Sequence, residues 1–204
     1  MIRALLGGSF DPIHAGHVAM VDWILGDGLA DHVHLVVAAR SPHKTSTAEP
    51  GRVRLRLARA AVAGRAGCGV EDLEIRRGGP SYTLDTLRTL AERHPGDRWR
   101  LAIGSDNLDD LDRWHRPREV LALAELLVLA RGDWDGTLPP LARGRAVTVT
   151  DFDVPVSSTA VREALRAGRV PRDLLPGVVA DLIEAEGLYG PDVLRDDRPG
   201  RDAP

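Results

Sequence analysis

Short β-rich runs alternate with amphipathic helical runs along nearly the whole chain, and this alternation restricts its fold more than any other feature. Residues 2–6 (IRALL) read as a short buried strand and 16–25 as a helix. Residues 32–39 (HVHLVVAA) form a second β-rich run. Across 52–63, Val53, Leu55, Leu57, Ala58, Ala61 and Val62 mark a helix with one buried face, and its arginines are assigned to the wet side. Residues 73–75 read as a brief strand, 83–94 as a helix ended by Pro95-Gly96, and 99–103 as a strand reaching Gly104. A helix opened by Pro117, strands at 126–130 and 146–149, and helices at 158–167 and 177–186 complete the pattern. Strands alternating with helices imply one α/β domain around a mostly parallel sheet. In such sheets ligands bind outside the carboxyl ends of the strands.

A chain of 204 residues accommodates one well-buried domain. That domain is expected to span 1–190, and the charged, proline-rich stretch 191–204 (PDVLRDDRPGRDAP) to be a disordered tail. No apolar run approaches the roughly 20 residues that span a bilayer, and the apolar run near the N-terminus is too short for a signal-peptide core. One cysteine, Cys68, cannot form an internal disulfide, so the expected setting is the cytoplasm. A net charge of -3 disfavours a general nucleic-acid binder. Almost all the positive charge is arginine, and Lys44 is the single lysine. Either a compact, mobile ammonium is needed there, or the lysine is a chance survivor on a solvated loop; composition weighs the two evenly.

The segment GGSFDPIHAGH, residues 7–17, stands directly behind the first strand. Gly7 and Gly8 allow the backbone to approach a ligand, and Asp11-Pro12 makes a turn. Gly16 and His17 fall at a helix start, where free N–H groups and the dipole favour anions. His14 and His17, three apart, can share a face and offer two donors to one phosphate. A zinc pair would need further ligands, and no nearby cysteine or spaced carboxylate set supplies them.

GGSFDPIHAGH resembles the nucleotidyltransferase signature of the HxGH superfamily, and VSSTAVREAL (156–165) resembles that superfamily's second signature, a Ser-Ser-Thr turn running into a helix. Further segments narrow the resemblance to bacterial nicotinate-nucleotide adenylyltransferases. SPHK (41–44) is similar to their Pro-His-Lys loop, GGPSYTLDTL (78–87) to their Pro-Ser-Tyr-Thr helix start, and IGSDNLDDLDRWHR (103–116) to their Gly-x-Asp loop ending in Trp. EAEGLYG (184–190) is similar to their C-terminus. Ser9, Ser41 and Val156 depart from the common pattern without removing a functional group.

The resemblance implies a Rossmann-like, doubly wound fold with helices on both faces, in a single domain. It implies adenylyl transfer from ATP to nicotinate mononucleotide, giving deamido-NAD and pyrophosphate, with Mg²⁺ carried mainly by the ATP phosphates. The phosphate nucleophile has a second pKa near 6, so no general base is required and catalysis is positioning plus electrostatic stabilisation. On the same basis His14, His17, Lys44 and Arg162 are the expected catalytic residues, with His17 at the α-phosphate. ATP would be held by Gly8, Ser9, Phe10, His14, Gly16, His17, Gly104, Asp106, Ser157, Ser158, Thr159 and Arg162. The acceptor would be held by Gly7, Lys44, Tyr82, Thr83, Trp114 and His115, with Trp114 on the pyridine ring and Thr83 at its carboxylate. His32, His34 and His94 are left as structural, the first two on one face of a strand. The alternatives are a pantetheine-phosphate adenylyltransferase, a nicotinamide-preferring enzyme, or a nucleotide-binding module without turnover. A homo-oligomer is left open.

Overall fold

The computed structural model describes residues 1–40, 47–130, 132, 134–143, 147–152 and 154–190. The strands are β1 (Ile2–Gly8), β2 (His32–Val37), β3 (Cys68–Glu71), β4 (Arg98–Gly104), β5 (Glu125–Ala130) and β6 (Val147–Asp151). They form one six-stranded sheet in the order β3-β2-β1-β4-β5-β6. Every neighbouring pair is parallel. The order reverses at β1, so the sheet has a topological switch point between β1 and β4.

The helices are α1 (Ala15–Gly26), α2 (Gly51–Val62), α3 (Leu73–Arg77), α4 (Thr83–Arg93), α5 (Pro117–Leu123), α6 (Ser158–Arg166) and α7 (Gly177–Glu186). Side chains alternate across the sheet and feed two cores. Ala4 and Leu6 of β1 pack with Val21 and Ile24 of α1, Leu57 of α2, Val161 of α6 and Val179 of α7. Leu5, between them in sequence, points the other way and packs with Leu84, Leu87 and Leu90 of α4 and Val120 of α5. Helices therefore cover both faces, as the strand–helix alternation requires.

Three local expectations are corrected. Residues 73–75 are helical, because Asp72 precedes them as a cap position and its carboxylate pairs with Arg76 one turn on, at 2.8 Å. The strand belongs instead to Cys68–Glu71, an edge strand whose four residues are all half-buried. The arginines of 52–59 do not all face water: Arg54 is completely buried. The tail at 191–204 and the loop residue Lys44 lie outside the described residues.

Candidate active site

The central strand β1 ends in Gly7, which is exposed, and Gly8, which is half-buried. A strand with partners on both sides exposes its backbone only where the elements above it part. The opening therefore sits at the switch point, beside Gly104 at the end of β4. Phe10 takes a left-handed φ of 46°, and its ring lies over Gly8, where a Cβ would come within 3.1 Å of it. The ring itself is buried and meets His17 edge-on at 4.8 Å.

His14 is the N-cap residue of α1 and is buried, whereas His17, in its first turn, is half-buried. Their rings stack with centroids 3.7 Å apart. Gly16 is required by this arrangement: a Cβ there would lie 3.2 Å from the His14 ring and 3.5 Å from Cβ of Val156.

The two segments that resemble superfamily signatures meet in space. Ser158 Oγ donates to the Pro12 carbonyl at 3.1 Å, and Arg162 Nη1 donates to the Asp11 carbonyl at 2.7 Å. Arg162 also reaches Thr159 Oγ1, at 3.2 Å. Ser157 caps α6 by accepting from the Ala160 N–H at 3.2 Å. Two helix N-termini, those of α1 and α6, are thus brought to one loop, each with its positive dipole end at the carboxyl edge of the sheet. Arg162 lies a full turn into α6, and one of its donors holds the Asp11 carbonyl.

On the other side of the switch point, Pro80 bridges to Arg40, and Ser81 Oγ accepts from the Ala39 N–H at 2.9 Å. This brings the start of α4 to the exit of β2. Tyr82 is the N-cap residue of α4 and Thr83 its first residue. Tyr82 stacks on His115, with ring centroids 4.3 Å apart. Trp114 is half-buried against the second core, next to His115. Asp106 is exposed in the 3₁₀ turn Ser105–Asn107 that follows β4.

Asp11 is buried, and its carboxylate accepts from the N–H groups of Ala48 at 2.8 Å and Glu49 at 3.2 Å. Glu49 in turn accepts the Tyr189 N–H at 2.9 Å, tying the end of the domain to the entrance of α2. Burial holds the Glu49 carboxyl above the usual carboxylate range, opposed by that N–H. Burial also pushes the Tyr189 phenol up, with the nearby Asp11 and Glu49 carboxylates adding to it. Cys68 is no nucleophile at neutral pH, since burial pushes its thiol up to about 11.

One surface has no counterpart among the sequence motifs. Outside the carboxyl ends of β5 and β6, an open cavity of about 490 Å³ is lined by Trp134, Asp135, Val149, Asp151 and Phe152 among others. Its residues come from the ends of β5 and β6 and from the 132–136 segment, far apart in sequence and sharing no motif, so only the fold collects them.

A parallel sheet whose central strand exposes its backbone at the switch point, flanked by two helix N-termini, a histidine pair and an arginine, defines a nucleotide-binding α/β protein of the nucleotidyltransferase class. The chain belongs to the cytidylyltransferase-like family, whose model matches residues 5–164. It is 37% identical over 196 residues to a probable nicotinate-nucleotide adenylyltransferase of Gloeobacter violaceus, covering 91% of this chain and 94% of that one. It is 34% identical over 190 residues to the protein of the same name in Streptococcus mutans, covering 91% and 87%. Among solved structures, a Plasmodium falciparum nicotinic acid mononucleotide adenylyltransferase complexed with NaAD shares the fold. Its TM-score is 0.72 at 20% identity, covering 92% of this chain and 97% of that one.

Proposed function

We infer that this chain transfers the adenylyl group of ATP to the phosphate of nicotinate mononucleotide, giving deamido-NAD and pyrophosphate. The observation that carries the reading is the docking of the 156–162 segment onto the 11–12 turn, which assembles a polyanion site from the two ends of the domain. Full-length similarity to relatives bearing the adenylyltransferase name supports the choice of acceptor.

An oxygen of the acceptor phosphate attacks the α-phosphorus of ATP, and the bond from that phosphorus to the bridging oxygen breaks as pyrophosphate leaves. The nucleophile is already largely dianionic at neutral pH, so no side chain need take its proton. What the protein supplies is alignment and compensation of charge. His17 is assigned to the α-phosphate because it is the more accessible of the stacked pair. His14 supports it, and the guanidinium of Arg162 and the N-terminus of α6 at Ser158 and Thr159 face the β and γ phosphates. Lys44, the chain's single lysine, would add a compact positive charge. The backbone at Gly7, Gly8 and Ser9 lets the phosphates come close to the sheet, while Gly104 and Asp106 border the nucleotide on the β4 side.

The cavity beyond β5 and β6 gives the base and ribose an apolar and carboxylate-lined place to lie. A divalent metal accompanies ATP in this chemistry and neutralises phosphate charge; we assign Mg²⁺, held chiefly by phosphate oxygens, with the exposed Asp106 carboxylate as the protein oxygen suited to it. Tyr82, Thr83, Trp114 and His115 form the acceptor side.

The reading is tested by pyrophosphate release from ATP with nicotinate mononucleotide, nicotinamide mononucleotide and phosphopantetheine as acceptors. Fastest release with nicotinate mononucleotide is expected. Fastest release with phosphopantetheine overturns the acceptor assignment, and no release with any acceptor overturns the activity.

A further inference from the structure

Arg54 sits in the middle of a surface-looking arginine run, yet its side chain has no exposed area at all. Three of its donors address three separate backbone segments. Nε donates to the Glu49 carbonyl at 3.0 Å, Nη1 to the Ser9 carbonyl, and Nη2 to the Ala39 carbonyl at 3.2 Å. These carbonyls belong to the entrance of α2, the loop behind β1, and the exit of β2. Among the described residues no carboxylate pairs with Arg54 directly. Asp11, whose negative charge acts on Arg54, has its oxygens on the N–H groups of Ala48 and Glu49.

Burying a guanidinium without an ion pair is costly, and an apolar side chain would fill the space with less desolvation. Its use here follows from geometry. A planar fork carries its donors on three nitrogens and so reaches three separated carbonyls at once, each from its own atom; the three donors of an ammonium all radiate from one nitrogen on a flexible stem. Asp11 grips the 48–49 segment by its two N–H groups, and Arg54 grips it by the Glu49 carbonyl. The loop that presents His14 and His17 is thereby registered against two neighbouring strand and helix ends.

We propose that Arg54 is a positioning residue for the reaction: its buried guanidinium fixes the backbone at Ser9, and through it the phosphate-facing loop 7–17, without touching substrate. The proposal rests on the adenylyl-transfer reading for its consequence, and on the three carbonyl contacts for its mechanism. A displacement of that loop on the scale of an ångström is enough to cost roughly 10²-fold in turnover.

The test uses the full chain with Arg54→Lys and Arg54→Gln, each checked for a cooperative melt above the assay temperature. Amide deuterium exchange is followed at 8–10 and 48–49, with β5 as the internal reference. For folded variants the expectation is faster exchange at both junctions, unchanged exchange in β5, and kcat lowered by roughly 10²-fold for Gln and less for Lys, as a misaligned reacting pair predicts. The KM for the acceptor stays within about threefold, since Arg54 does not reach it. Should neither variant fold, Asp11→Asn loosens the same junction and is expected to give the same pattern. Folded variants with wild-type kcat, or slowed variants with unchanged exchange at 8–10, overturn the proposal. Failure of the wild type to release pyrophosphate with any acceptor would instead sink the activity reading, and the exchange data would still decide whether Arg54 holds the loop.

Discussion

The backbone N–H of His14 donates to Nδ1 of His17 at 3.3 Å, so the second histidine of the pair is held by the first one's main chain. An Nδ1 that accepts carries no proton, which places the hydrogen of the neutral ring on Nε2. With Phe10 edge-on at 4.8 Å and His14 stacked at 3.7 Å, the ring is oriented from two sides. On the adenylyl-transfer reading, this orientation would let His17 donate to charge that develops at the α-phosphate. His17→Ala is therefore expected to lower kcat by roughly 10²–10³, the loss typical of one such donor, with a smaller change in ATP affinity. Nitrogen NMR of the wild-type ring should show the Nε2–H tautomer. Near-full turnover in the variant would remove His17 from the transition state.

Lys44 is the chain's only lysine, in a segment flanked by the well-anchored Ala39 and Ala48. Lys44→Ala should weaken ATP or acceptor binding and slow turnover, and Lys44→Arg should restore only part of the loss, because a planar fork replaces a point charge. Steady-state kinetics on both variants decide it. Indifference to alanine would leave Lys44 as a solvated surface residue.

At the opposite edge of the sheet, the rings of His32 and His34 meet at a tilt with centroids 4.5 Å apart, and the ring of His34 lies 5.5 Å from that of His94. Burial first, and then neighbouring positive groups including Arg3 and His34, hold His32 and His94 below the usual histidine value of 6.5. The unfolded chain thus binds more protons than the folded one just below that pH, so stability falls as pH drops through the unfolded value toward the lower folded ones. Glu71, held down chiefly by its hydrogen bond to His34, adds a second loss at more acid pH, as it is protonated. Thermal melts between pH 5 and 8 should show a decline on the acid side that flattens in the His32→Gln, His94→Gln double variant. An unchanged slope in that variant would exonerate the histidines.

Legibility followed punctuation. Pro117 and the Pro176-Gly177 pair mark helix starts chemically, and α5 and α7 begin and end where the sequence places them. The third strand lacks such marks: in Cys68-Gly69-Val70-Glu71 only Val70 is strongly β-forming, while Leu73-Glu74-Ile75 alternates like a strand but is too short for helical period to show. Arg54 could have been found. It lies on the same helical stripe as Leu57, Ala58 and Ala61, at the spacing of one buried face, and was hidden by arginines on the wet faces around it. The two ends of the site were legible as motifs, but their hydrogen-bonded contact, between residues 151 positions apart in one case, depends on the sheet order and on no local pattern.

Acceptor choice should separate cleanly from adenylyl transfer, because its expected residues come from different elements. Tyr82 and Thr83 open α4, and Tyr82 stacks on His115, beside Trp114, across the switch point from α1 and α6. If Trp114 lies on the pyridine ring, Trp114→Ala raises KM for nicotinate mononucleotide by the worth of a lost aromatic contact, about 1 kcal/mol or roughly fivefold. The KM for ATP should hold steady. Because the same indole also packs on the second core, the melting temperature of the variant must be measured beside its kinetics. Thr83→Val asks a finer question. A site that donates to a carboxylate leaves donors unpaired when the amide analogue binds, so deleting one donor narrows the preference between the two nucleotides. The decisive quantity is kcat/KM for nicotinate and nicotinamide mononucleotide in wild type and in Thr83→Val. A ratio that does not move takes Thr83 out of the acceptor site.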